Sequence, residues 1–174
     1  MLKKFFQNIK NMLKARELGE GNKLALTGKL FAKKTERGGV VVDLGLVAVN
    51  EVTDAGAAAL VDAFQSTGVI MCDFYWHGQG TSTGAEGSTE TALGAEVETR
   101  TSGTRVETSA MVFKTIATKT FTTTGGHAIT EHGIFNAETT GTGILWDRSK
   151  FAAINVSTGD SIEFTYELTV TAGG

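Results

Sequence analysis

Near its C-terminus the chain alternates almost without error. Ile162, Phe164, Tyr166, Leu168 and Val170 fall on one parity, and Glu163, Thr165, Glu167, Thr169 and Thr171 on the other. Successive side chains of a strand point to opposite faces, so this pattern specifies a half-buried strand with one core face and one wet face. The residues before it, Ser157-Thr158-Gly159-Asp160, have the small polar character of a hairpin turn. A strand that must bury one face needs a second layer, sheet or helix, to bury it against.

Composition extends the argument to the whole chain. With 174 residues, 22 glycines and no proline, one domain of uninterrupted ladders joined by tight turns is expected. A hairpin is read from 24–34 and 40–50 around Thr35-Glu36-Arg37-Gly38-Gly39. A short helix follows, capped by Thr53 or Asp54, with Ala57, Leu60, Val61 and Phe64 as its core stripe. Residues 69–77 read as a buried strand with Ile70, Cys72, Phe74 and Trp76 on one face. Further strands are assigned to 96–100, 105–122, 127–136, 144–148 and 151–156, with a turn at 101–104. The sum is a mainly β protein: a two-sheet antiparallel β-sandwich, jelly-roll-like, with one short internal α-helix.

Residues 1–21 differ in character and are taken as a separate arm and hinge, with the sandwich at 22–174. Leu2, Phe5, Phe6, Ile9, Met12 and Leu13 fall at helical spacing among Lys3, Lys4, Lys10, Lys14 and Arg16. A helix this short is marginal alone in water, so its apolar stripe calls for a protein surface. Leu2, Phe5, Phe6 and Ile9 are its anchor candidates, and Lys3, Lys4, Lys10 and Lys14 its electrostatic complement. No lipid-directed feature accompanies it, no apolar run is long enough to span a bilayer, and the segment lacks the continuous apolar core and small-residue cleavage site of a signal peptide. Synthesis in the cytoplasm without export is the expectation. The net charge of −3 gives no case for nucleic-acid binding.

Chemistry-bearing patterns are few. His127, Glu131 and His132 are spaced unlike helical zinc sites, and on a strand Glu131 and His132 face opposite sides. Trp76, His77 and Gln79 border a polar, Gly-rich stretch, 78–95, that reads as the least constrained part of the chain; they are candidates for contact with a ligand such as a glycan or with a neighbouring subunit. Gly78-Gln79-Gly80 lacks the helix and acid of a dinucleotide site, and no serine sits in a nucleophile elbow. Asp147-Arg148 suggests an ion pair at a turn or interface. Cys72 reads as a buried small hydrophobe. Neither a catalytic site, a cofactor nor a metal is expected.

Several motifs together resemble a known group. They are Glu131 to Asn136, Leu145 to Phe151 with Asp147 and Arg148, Ala153-Ile154-Asn155-Val156, and Gly159-Asp160. Upstream, Val42-Asp43-Leu44-Gly45-Leu46-Val47, Leu60-Val61-Asp62-Ala63-Phe64-Gln65 and Trp76-His77-Gly78-Gln79-Gly80-Thr81 add to them. These are similar to small virion structural proteins of tailed bacteriophages, over 22–174. The resemblance implies a non-enzymatic virion component, in first place a capsid decoration or cement protein bridging capsid subunits. A neck, tail or fibre component and a host-glycan receptor-binding module are its alternatives. Its partners would be the major capsid protein or neck and tail neighbours, and further copies of itself, a trimer being the expectation.

Overall fold

The computed structural model describes residues 24–65 and 68–172, with Glu51 as backbone only. The predicted N-terminal helix, with Leu2, Lys3, Lys4, Phe5, Phe6, Ile9, Lys10 and Lys14, lies outside the described residues. The chain divides into two compact units: Thr27–Thr169, and the two chain ends, Met1–Leu26 with Val170–Gly174. The description below concerns the first.

The chain is mainly β. In order it forms β1 (Ala25–Thr35), β2 (Val41–Val52), α1 (Asp54–Phe64), a single 3-10 turn (Met71–Asp73), β3 (Trp76–Gly80), β4 (Thr101–Ser102), β5 (Thr104–Ser109), β6 (Val112–Thr120), β7 (His127–Phe135), β8 (Leu145–Val156) and β9 (Ser161–Thr171). The strands lie in the order β4-β3-β7-β8-β2-β1-β9-β6-β5. Two antiparallel sheets result: β5-β6-β9-β1-β2 and β2-β8-β7-β3-β4, sharing β2, which meets β8 only through Glu51 and Val52.

The last strand behaves as its alternation requires. Ile162, Phe164 and Tyr166 are buried, while Glu163 pairs with Lys33 at 2.7 Å and Glu167 with Lys114 at 2.9 Å. Opposite it on β6, Thr115 faces Tyr166 and Ala117 faces Phe164, both buried. The two sheets pack through this face: Phe164 of β9 lies 4.6 Å from the His132 ring of β7 and 6.0 Å from the Phe151 ring of β8. Trp146 Nε1 of β8 donates to Tyr166 Oη at 2.9 Å.

Helix α1 begins where its cap dictates. Thr53 Oγ1 accepts from Gly56 N at 3.0 Å. The predicted stripe does not hold, however. Gly56 and Ala59 form the buried side, Ala57 is exposed, and Val61 and Phe64 are 56% and 86% exposed. The reason is steric: a Cβ at Gly56 would stand 2.5 Å from Trp146 O, so the helix approaches β8 only through its smallest residues.

The 69–77 segment is likewise not a strand with four inward residues. Ile70 and Cys72 are exposed, Phe74 is buried, and the strand begins at Trp76 and runs through Gly80. The 105–122 segment is a hairpin of β5 and β6, and residues 101–104, read as a turn, contribute the two-residue β4. Residues 144–148 and 151–156 merge into one strand, β8.

Residues 78–95 are far from unconstrained, and 96–100 make only an isolated bridge, Glu96 to Gly80, instead of the expected strand; residues 81–100 act as one unit. They form a strap over the outer face of the second sheet, held by two buried ion pairs. Glu131 accepts from the backbone N–H groups of Ser82, Gly94 and Ala95 at 3.2, 3.0 and 2.8 Å. Arg148 meets the same carboxylate at 2.7 Å and reaches Glu90 and Ala85 O in the strap. Further along, Arg100 pairs with Glu96, donates to Ala137 O and Thr142 O, and lies 3.4 Å above the Phe135 ring. Leu93 plugs between Phe135 and Leu145.

Candidate protein-interaction surface

β2, with Val40 just before it, carries the most exposed apolar surface on the body of the protein. Val40, Val41, Val42, Leu44, Leu46 and Val49 remain between 38% and 61% exposed. A strand with apolar residues on both parities is ordinarily buried on both faces. Here it is not, and the backbone gives the reason. Pairing with β1 skips Val47 between Ala48 and Leu46, and skips Leu44 between Gly45 and Asp43. Each extra residue is a bulge that bends the strand and adds twist. At the second bulge Gly45 takes φ +64°, a conformation glycine adopts without Cβ strain, and its N–H bonds Asp43 Oδ1 at 2.9 Å.

The bends carry β2 away from β8. Beyond the two ladder positions at Glu51 and Val52, residues 41–50 have no strand partner on that side among the described residues. Where the strands part, Leu44, Leu46 and Val47 face Phe151, Ala152, Ala153 and Ile154 across a groove of about 340 Å³. Long, apolar, part-free edge strands are uncommon on monomeric proteins because they template association. The hairpin that presents this surface is anchored: Asp160 in the β8–β9 turn accepts from Arg37 N at 2.8 Å and lies 3.3 Å from Lys34 Nζ. Hydrogen bonds from the Ser157 and Arg37 backbone N–H groups hold the Asp160 carboxyl below its ordinary pKa.

Trp76, His77 and Gln79 lie elsewhere, and two of them are not surface residues. His77 and Gln79 are each 1% exposed. Gln79 Nε2 donates to Val97 O at 2.7 Å, binding β3 to the strap. Trp76 packs on the cluster of Leu93, Phe135 and Leu145, its ring 5.2 Å from that of Tyr75. The three therefore do not make a shared contact surface, because glycine-flanked β3 is covered on both faces.

Between the sheets, His77 Nδ1 and His132 Nε2 are 2.9 Å apart, and His77 Nε2 lies 3.1 Å from Thr115 Oγ1 of the opposite sheet. Burial holds both imidazoles neutral: it lowers His77 to about 3, and burial with the adjacent His77 pushes His132 well below its ordinary value. Asp147 is equally enclosed, accepting from Asn50 Nδ2 at 2.9 Å and from Tyr166 Oη at 3.2 Å; burial raises its pKa well above the carboxylate range. Asp147 and Arg148 thus do not pair with each other, since neighbours on a strand face opposite sides. His132 and Glu131 diverge for the same reason. Among the described residues no three His, Cys, Asp or Glu side chains converge in a metal-binding arrangement, and no helix is long and apolar enough to cross a membrane.

Sequence reasoning placed β2 correctly as a strand but not as a surface. Its apolar residues on both parities carry the signal, but the pattern alone reads as a buried strand. Comparison of the chain with models of protein families, with curated proteins and with solved structures returns no match.

Proposed function

We propose that this chain is a non-enzymatic structural protein of a tailed-phage virion, a capsid decoration or cement protein that bridges capsid subunits. The observation that carries the adhesive part is β2: a braced hairpin presenting six part-exposed valine and leucine side chains beside an apolar groove. The phage context comes from the motif resemblance over 22–174. The basic 1–21 arm supplies a second contact, its Leu2, Phe5, Phe6 and Ile9 stripe docking on a neighbour. Repetition over a shell multiplies modest per-site energies.

A jelly-roll reading of the topology rests on its outer pairings. First strand lies beside last, β1 with β9, and second beside penultimate, β2 with β8, as in a hairpin rolled upon itself. The consecutive strands β1–β2, β3–β4, β5–β6 and β7–β8, each paired within a single sheet, are its departures.

The host-glycan alternative draws little support, since His77 and Gln79 are enclosed. Quantitative mass spectrometry of purified particles tests the proposal. A copy number matching the capsid lattice supports decoration. A number matching a ring or fibre moves the chain to the neck or tail, and absence from particles ends the virion reading.

A further inference from the structure

The geometry points to a second copy of this chain as the occupant of β2: two molecules pack their β2 strands together, antiparallel, about a two-fold axis near Leu46. This deepens the adhesive reading above and rests on it.

Three observations favour a copy of itself. The first is area. With its six apolar side chains 38–61% exposed, burying all of them in two copies would withdraw at most about 1,000 Å² from water, the least that a specific interface must clear.

The second is charge. Across 40–50 the strand reads VVVDLGLVAVN, with Asp43 its only ionisable residue. A surface so nearly uncharged meets itself without the repulsion that a chain of net charge −3 otherwise carries into self-contact. Antiparallel packing about Leu46 sets the two Asp43 side chains on opposite sides of the axis, roughly 20 Å apart along the strands. That separation exceeds the ~8 Å screening length at physiological salt.

The third is shape. The bulges at Leu44 and Val47 interrupt a straight edge, so a continuous ladder of backbone bonds is not what joins the copies. The contact is one of side chains, with the Leu44, Leu46 and Val47 wall of the groove receiving the same residues from its mate. A patch that meets itself must close as a pair, so the contact builds a dimer rather than a trimer.

Sedimentation velocity of the full chain under reducing conditions reads this directly. A dimer is expected, with Leu46→Lys and Val49→Lys each weakening association at least a hundred-fold while circular dichroism stays unchanged. Both side chains already face solvent, so folding should survive either change. The Leu46→Cys variant, carrying Cys72→Ser, should form a chain-to-chain disulfide under mild oxidant, because Leu46 lies at the axis. A monomer persisting at ~100 µM overturns the proposal. So does an odd-numbered oligomer, or association that survives both lysine variants but is lost in Phe5→Glu with Phe6→Glu. Failure here and failure of the particle reading are separable: a monomer that still enters particles overturns only the self-contact, and a dimer that never enters them overturns only the virion assignment.

Discussion

Glu131 shows how much can depend on one carboxylate. It is wholly buried, and its two oxygens collect three backbone N–H groups and the Arg148 guanidinium. Removing one partner of a buried ion pair costs about 3–5 kcal/mol where the other charge is left uncompensated; Arg148 keeps its pairing with Glu90, so the lower end of that range applies here. Glu131→Gln should therefore lower the urea midpoint by that equivalent and open residues 81–95 to limited proteolysis. An unchanged midpoint would show that the strap is held by Leu93 packing alone. In the sequence, Glu131 stands between histidines and draws attention as a metal-ligand candidate. Nothing in its neighbourhood announces that its partners are main-chain amides, because an amide leaves no mark on residue identity. Its opposition to His132 was legible, since strand parity alone decides it.

At the scale of elements, the reading succeeded where pattern and burial agree. The β1–β2 hairpin turn, the Thr53 cap and the inward Ile162, Phe164 and Tyr166 all follow from local rules. It failed at α1, where apolar residues lie all around a short helix and periodicity cannot say which side is covered. Close approach to β8 selected glycine and alanine over leucine and phenylalanine. Gly56→Ala isolates that choice. Alanine in a helix interior stabilises by roughly 0.5–1 kcal/mol relative to glycine, but overpacking against a backbone carbonyl costs about 1–3 kcal/mol. We expect the steric effect to win and the melting temperature to fall by several degrees; a rise would mean that α1 can slide on β8. It failed again at β3, where glycines read as loop although the strap covers them.

For the molecule as a whole, the His77–His132–Thr115 contact across the sandwich sets a pH dependence. The histidine pKa values are lowered in the folded state, so above the ordinary histidine value near 6.5 neither state binds the proton. Below it the unfolded chain takes up protons that the folded one refuses, and stability falls as pH drops toward about 3, where folded His77 titrates. Asp147 works in the other direction. Its folded pKa is raised, so its contribution is present below the unfolded value near 3.9 and is lost as pH climbs through the folded one. Urea midpoints between pH 7 and 4 for the wild type and for His77→Leu with His132→Leu separate the two: the double variant should lose the acid-side decline. Parallel profiles would mean that the imidazoles are not excluded from water. The same measurement with Asp147→Asn should flatten the opposing, alkaline-side decline.

Residues 81–89 are gripped chiefly through main-chain groups, whereas Glu90, Leu93, Glu96 and Arg100 fasten the rest of the strap by their side chains. Saturation mutagenesis should find most of 81–89 freely exchangeable, while Glu131 and Arg148 admit almost nothing. Such a stretch can drift rapidly in sequence, or accept a grafted epitope, without disturbing the architecture beneath.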